Sequence, residues 1–123
     1  MEMINGDGVS HATYHVSEAG APACTYHDTS EGGSAPIRNF DSEYHEYAIE
    51  RTVDALAFVY DGVVVYNSSG GPRRVLDVPW YVILNFAIGG PWPKPVNDST
   101  VFPAETRVDY VRASTPKQAR ELA

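Results

Sequence analysis

With 123 residues, 43% of them hydrophobic and 20% charged, the chain can form one small domain with its own core, and its composition excludes a disordered polypeptide. Sixteen acidic residues against nine basic ones leave a net charge of −7, which repels phosphate backbones and excludes nucleic acid as a partner. Neutral polysaccharides incur no such penalty. The longest apolar run, residues 79–88, contains Asn85 and is too short to cross a membrane.

The first third of the chain combines a strand with a long polar segment. Residues 10–16 predict a strand. Residues 17–43 are rich in Gly, Pro, Ser and Asp, so we expect a long loop with one short strand near Ile37. This loop holds the single cysteine, Cys24. In a secreted protein its disulfide partner could lie in sequence outside this chain, and no base that would make it a catalytic thiol is identifiable.

The middle of the chain predicts a strand followed by a hairpin. Residues 44–51 alternate apolar and polar side chains, which indicates a strand, and residues 52–54 form a turn. Residues 56–60 and 63–66 then flank Asp61-Gly62. Because glycine adopts positive φ without a steric penalty, this pair predicts a two-residue hairpin turn.

Two more strands are predicted near the C-terminus. Residues 80–88 are apolar on both faces, which is typical of a central strand covered on each side. Residues 107–112 predict the last strand, and Thr115-Pro116 could cap a short terminal helix. Many short strands without a long helical period predict an all-β sandwich or barrel.

The segment after residue 88 predicts a ligand site. Trp92 lies in a Gly-Gly-Pro-Trp-Pro loop, and the apolar C–H faces of sugar rings stack well on an indole. The alternative is that Trp92 plugs the end of the sandwich. Asn85 is either a hydrogen-bonding group that faces the cleft or a buried amide satisfied by the backbone.

Two histidines share one face of the first predicted strand. His11 and His15 are four residues apart, which separates their Cβ atoms by about 13 Å, too far for both to bind one metal ion. Glu2, taken by itself, is an exposed terminal acid. His45 is expected to have a structural role.

Several stretches, in this order along the chain, carry a specific resemblance. Residues 1–6 read MEMING, 11–15 HATYH, 44–50 YHEYAIE, 60–62 YDG, 83–93 ILNFAIGGPWP, 102–104 FPA and 108–112 VDYVR. They resemble the second half of glycoside hydrolase family 16, which contains laminarinases and related endo-β-1,3- and β-1,3-1,4-glucanases. Arg51 departs from the family, which usually has Trp at this position.

The resemblance implies a fold and a domain organisation. The family fold is a concanavalin A-like jelly-roll β-sandwich whose concave sheet forms an open glucan-binding cleft. Residues 1–114 would be the C-terminal part of the catalytic domain and residues 115–123 a short tail. The N-terminal strands would be missing, so we expect unpaired strand edges, an exposed apolar face and aggregation of the isolated chain.

The resemblance also implies a retaining mechanism with two carboxyl groups. The family's active-site strand reads Glu-x-Asp-x-x-Glu, and Glu2 resembles its last residue, the general acid/base. Retaining glycosidases need a second carboxyl group about 5–5.5 Å away as the nucleophile. That residue would precede Met1, so we expect the fragment to be inactive.

Further site residues follow from the same resemblance. We expect Asn5, His11, His15, Asn85 and Trp92 to bind the substrate, a β-glucan. Asp109 lies near a position where some members hold calcium, so it is a candidate ligand for a structural ion, and no other cofactor is expected.

The resemblance further implies an extracellular or cell-wall protein that is monomeric at full length. Met1 and Glu2 are not followed by a signal peptide, so a targeting segment is expected upstream. The alternative from another class is a non-catalytic, lectin-like β-glucan-binding module, because family relatives without the carboxylate pair recognise glucans without cleaving them. A third interpretation is a broken gene product without a function.

Overall fold

The computed structural model describes residues 1–4, 6–17, 28–68 and 79–115. The strands are β1 (Val9–Ser17), β2 (Asp28–Pro36), β3 (Tyr47–Arg51), β4 (Leu56–Tyr60) and β5 (Val63–Asn67). They form two antiparallel sheets, β1-β2 and β3-β4-β5. The predicted all-β class is confirmed, and the architecture is consistent with a jelly-roll-like β-sandwich fragment. Within the described ranges, no helix is long and apolar enough to cross a membrane.

The first sheet contains a strand that is much longer than the short one predicted near Ile37. β1 confirms the strand expected at residues 10–16, but residues 28–36 of the predicted loop form β2, which pairs with β1 over its full length. The prediction was wrong because β2 lacks apolar alternation. Its glycines are needed for close packing instead, since a Cβ on Gly33 would lie 2.6 Å from the carbonyl oxygen of Val65.

The second sheet follows the prediction closely. β3, β4 and β5 lie within or close to the expected bounds, and the hairpin turns at Asp61-Gly62. Both turn residues have positive φ, 44° for Asp61 and 76° for Gly62, as a type I′ turn requires. The β4–β5 register shifts between Phe58 and Val59 and passes over Val65, which forms a bulge in β5.

The two sheets pack their apolar faces against each other. Ala12 and Tyr14 of β1 form a buried cluster with Leu56 and Phe58 of β4. Ile37 follows β2 directly and is also buried. Because side chains alternate across a strand, His11, Thr13 and His15 lie on the opposite, outer face of β1.

Residues 79–115 differ from the two sheets. The strands predicted at residues 80–88 and 107–112 are not formed: neither segment pairs with another strand in the described part of the chain. Tyr81 is 83% exposed and Ile83 is 68% exposed. Residues 80–88 are therefore not buried on both faces by other described residues, as a central strand would be. The exposed apolar face that was expected is present. The helix predicted from Thr115-Pro116 falls on residues outside the described ranges, as does Cys24.

This segment contacts the sheets through aromatic side chains. The Trp80 indole stacks on Tyr14 with ring centroids 6.1 Å apart. The Arg51 guanidinium lies 4.8 Å from the centroid of the Trp80 ring, a cation–π contact. The Tyr110 hydroxyl donates a 2.8 Å hydrogen bond to Glu46 Oε2 at the entry to β3. Arg51, the residue that departs from the family pattern, therefore packs on an aromatic ring.

Candidate functional site

Glu2 is held in place by β1. Its N–H donates to the His11 carbonyl oxygen and its carbonyl accepts from the His11 N–H, both at 2.8 Å. Residues that exchange both backbone hydrogen bonds in an antiparallel pair carry their side chains on the same face. Glu2 therefore lies on the outer face of β1, beside the His11 side chain and away from the core.

Trp92 reaches the same place from the C-terminal part of the chain. The centroid of its indole lies 5.1 Å from that of the His11 imidazole, in an edge-to-face arrangement of 63°. The indole is 54% exposed, which does not fit the alternative of a buried plug. Three residues predicted from sequence to share a site, Glu2, His11 and Trp92, are thus brought together across about 90 positions of sequence separation.

Asp7 belongs to this group and was missed by the sequence analysis. Its Oδ1 accepts a 2.9 Å hydrogen bond from the Val9 N–H, and its Oδ2 lies 3.4 Å from His11 Nε2. The Val9 hydrogen bond lowers the pKa of the Asp7 carboxyl below its usual value; burial opposes this as the second-largest cause, and His11 adds a smaller lowering. Its position between Gly6 and Gly8 was the available signal, since glycines on both sides indicate a turn that could bring the carboxylate back to the strand.

Small residues of β2 lie opposite the outward-facing residues of β1. The register places Ser34 opposite His11, Gly32 opposite Thr13 and Ser30 opposite His15. Side chains of this size do not extend far above the sheet. Opposite His11, Thr13 and His15, this face of β2 therefore carries only small residues.

The other predicted site residues have different positions. His15 is exposed on the same outer face as His11, further along β1. Asn85 is exposed within residues 80–88, which excludes the alternative of a buried amide, and among described residues no hydrogen bond connects it to Glu2 or His11. Asn5 lies outside the described residues. The contribution of these residues to binding stays a prediction.

A metal site is not formed by the described part of the chain. Asp109 is exposed, and no group of three or more His, Cys, Asp or Glu side chains there could hold an ion. The candidate calcium role of Asp109 stays a prediction.

Comparison with known proteins finds relatives among the glycosidases. The chain is 31% identical over 94 residues to a beta-glucanase of Rhodothermus marinus, a match that covers 68% of this chain and 33% of the relative. It is 28% identical over 120 residues to a keratan-sulfate endo-1,4-beta-galactosidase of Sphingobacterium multivorum, covering 91% of this chain and 26% of the relative. It is 30% identical over 87 residues to glucan endo-1,3-beta-glucosidase A1 of Niallia circulans. This match covers 61% of this chain and 13% of the relative.

These matches relate the chain to glycosidases over only part of the length of each relative. The matches span a third or less of the length of these relatives. No protein-family model matches the chain, and no solved structure matches it. The names of the relatives are consistent with a glycoside hydrolase family and with a polysaccharide substrate.

Proposed function

We propose that this chain is part of a secreted glycoside hydrolase of the family 16 type, which cleaves β-1,3 or mixed β-1,3-1,4 glucans by a retaining mechanism. The observation that carries the proposal is the juxtaposition of a carboxyl group, an imidazole and an exposed indole. Glu2 pairs with His11 on the outer face of β1, and the His11 ring contacts Trp92. An aromatic platform beside a carboxyl group is the arrangement that sugar binding and acid/base catalysis require.

In the proposed mechanism each residue has a separate task. Trp92 binds the apolar face of a sugar ring, and His11 and His15 contact hydroxyl groups along the outer face of β1. Glu2 protonates the leaving glycosidic oxygen while a carboxylate that this chain does not supply bonds to the anomeric carbon; Glu2 then takes a proton from the water that displaces that carboxylate. Asn5 and Asn85 would add hydrogen bonds to the substrate. Asp109 would contribute to a structural calcium site in an extracellular enzyme that is monomeric when complete.

The 123-residue chain by itself is proposed to bind glucan without cleaving it. A retaining enzyme needs a nucleophilic carboxylate about 5–5.5 Å from the acid/base. Asp7 is the carboxylate seen beside His11, but its Oδ1 accepts the Val9 N–H and its Oδ2 faces His11. Because both oxygens are engaged within the protein, Asp7 does not supply the attacking group. The same observation favours the second candidate, a non-catalytic β-glucan-binding module.

Binding and cleavage are tested separately. For binding, we expect isothermal titration calorimetry to detect binding of a laminarin oligosaccharide to the 123-residue chain, and we expect Trp92→Ala to weaken this binding about tenfold, which corresponds to about 1.4 kcal/mol. Trp80→Phe is the matched control, because Trp80 stacks on Tyr14. Equal weakening by both variants, or a preference for β-galactoside oligosaccharides, would contradict the proposed glucan site.

For cleavage, the protein is produced with the reading frame that precedes Met1, and reducing-sugar release from laminarin and lichenan is measured. Glu2→Gln should abolish the release, whereas Glu50→Gln, an exposed acid on β3, should leave it unchanged. Normal turnover of the Glu2→Gln variant would refute the assignment of Glu2. Glucan binding without turnover in either form of the wild-type protein would support the binding module instead.

A further inference from the structure

A second cluster of titratable side chains lies where the loop before β3 meets the turn after β4. His45 Nδ1 is 2.9 Å from Asp61 Oδ2 and 2.7 Å from the Tyr60 hydroxyl oxygen. On the other side of the ring, His45 Nε2 is 3.4 Å from the carbonyl oxygen of Asn39. The His45 side chain is only 7% exposed. This group of residues, His45, Asp61, Tyr60 and Asn39, is called the His45 cluster.

The cluster is complete only when His45 carries both ring protons. An imidazolium donates from Nδ1 and from Nε2, so it can satisfy the Asp61 carboxylate and the Asn39 carbonyl together. A neutral ring has a single N–H and must leave one of these acceptors facing a lone pair. Protonation of His45 therefore decides whether its ring donates to Asn39 within the loop and to Asp61 in the β4–β5 turn at the same time.

Near neutral pH, His45 is the member of the cluster whose charge changes. Its hydrogen bond with Asp61 raises the pKa of His45 above its ordinary value of 6.5, and burial opposes this. The Glu46 N–H, followed by His45, holds the pKa of Asp61 below its usual range, so this carboxylate stays charged. Burial, followed by the charge of Asp61, raises the pKa of Tyr60 to about 12, so its hydroxyl stays neutral.

Other ionisable groups reinforce this assignment. Glu43, on the same loop as His45, adds a negative charge that favours the imidazolium. Tyr47 of β3 faces the cluster through Tyr60, with ring centroids 5.4 Å apart. Burial, and then the charge of Asp61, raises the pKa of the Tyr47 phenol, so this group is neutral as well. Glu46 faces Asp61 through its backbone N–H, at 2.8 Å from Asp61 Oδ1.

The Asn39 carbonyl also organises the loop. It accepts hydrogen bonds from the backbone N–H groups of Ser42 and Glu43 at 3.0 and 3.1 Å, and Asn39 itself has a positive φ of 54°. The next residue, Phe40, covers the turn that precedes β1. A Cβ on Gly6 would lie 3.0 Å from Phe40 Cζ, and one on Gly8 would lie 3.7 Å from Phe40 Cδ1.

The turn under Phe40 carries the candidate site. Asp7 lies between Gly6 and Gly8 and contacts His11, and the Gly8 carbonyl accepts the Ile37 N–H at 2.6 Å. The His45 cluster, Phe40 and the Gly6–Gly8 turn therefore form one continuous series of contacts that leads to the Asp7–His11 pair.

We propose that protonated His45 is a positioning residue that fixes the 37–46 loop and, through Phe40, the turn that places Asp7 beside His11, so that raising the pH loosens the candidate site. The assignment of that site as glucan-binding rests on the proposed function, whereas the coupling between His45 and the turn does not. The sign follows from the elevated pKa: the stabilisation is fully present below the unfolded value of 6.5 and is lost as the pH rises through the folded value.

The coupling is measured on the 123-residue chain by NMR, without any sugar. The imidazole signals of the four histidines and the backbone amides of Gly6 and Gly8 are followed between pH 5 and 9. We expect His45 to titrate above pH 6.5 and the Gly6 and Gly8 amides to show a step at the same midpoint. His45→Gln should remove this step, and His15→Gln, the matched exposed histidine, should preserve it.

Two further variants test whether the change at the glycine amides is due to His45. The His11 imidazole also lies beside the turn, 3.4 Å from Asp7 Oδ2, so the His45-linked step must persist in His11→Gln. If His45→Gln does not fold, Asp61→Asn keeps the imidazole and should lower the His45 midpoint, and the glycine step should move down with it. Glycine amides that are insensitive to the His45 midpoint, or a step that survives in His45→Gln, would overturn the proposal. Loss of glucan binding with the coupling intact would count against the proposed function alone.

Discussion

The two halves of this molecule contain comparable apolar patterns and use them differently. Residues 56–60 and residues 80–88 are both strongly apolar, but Leu56 is fully buried within a paired strand while Leu84 is 61% exposed in an unpaired segment. β4 has neighbours close in sequence on both sides, because short turns connect it to β3 and β5. In the described part of the chain, residues 80–88 have no such neighbour.

Burial of side chains and pairing of the backbone are two separate conditions for a strand. A run of apolar side chains indicates which residues can be buried, whereas a strand also needs a partner for its backbone N–H and C=O groups. A tight turn such as Asp61-Gly62 provides that partner locally. Residues 80–88 satisfy the first condition, and their exposure shows that the first condition alone does not build a sheet.

The largest expected effect is on the free energy of unfolding, and it is tested by truncating one leucine in each half. Leu56→Ala should lower the free energy of unfolding by about 2–5 kcal/mol, because it opens a cavity beside Ala12, Tyr14 and Phe58. Leu84→Ala should change it by less than about 0.5 kcal/mol, because Leu84 is already 61% exposed. Urea unfolding followed by tyrosine and tryptophan fluorescence measures both. Similar losses for the two variants would show that residues 80–88 are packed in solution.

A smaller effect distinguishes two buried serines of the paired half. Ser68 Oγ accepts a 2.8 Å hydrogen bond from the Leu56 N–H, so Ser68→Ala leaves a buried donor unsatisfied and should cost about 1–3 kcal/mol. Ser10 is equally buried, but its hydroxyl has no partner among described residues. Ser10→Ala should therefore be neutral or stabilising by up to about 1 kcal/mol in the same unfolding assay. A large loss for Ser10→Ala would reveal a hydrogen bond to water or to another part of the chain.

The smallest effect on stability is expected for a charge introduced into residues 80–88. The same change should have a clear effect on self-association. Leu84→Lys interrupts the apolar surface of residues 80–88 and should reduce self-association while leaving the unfolding free energy within about 0.5 kcal/mol. Sedimentation velocity measures the change. Ser42→Lys adds the same charge to an exposed loop and serves as the control, since less negative net charge alone would favour association. Equal self-association of the Leu84→Lys and Ser42→Lys variants would rule out residues 80–88 as the surface through which the chain associates.

Part of the candidate site was predictable from residue type and resemblance. Glu2, His11 and Trp92 were identified in the sequence, and the tertiary structure brings them together. Asp7 was not identified, because its role depends on the turn that returns it to His11. Asn85 was left open between two environments, and its exposure excludes the buried amide while its role in binding stays a prediction.

What the sequence determined by itself is what depends on neighbouring residues: the all-β class, the hairpin at Asp61-Gly62 and the alternation that places His11 and His15 on one face of β1. The tertiary structure decided the rest. β2 is a strand although it lacks apolar alternation, because glycines at positions 32 and 33 allow the backbones of β1 and β5 to approach closely. Such contacts join residues far apart in sequence, so local propensity and periodicity carry no record of them.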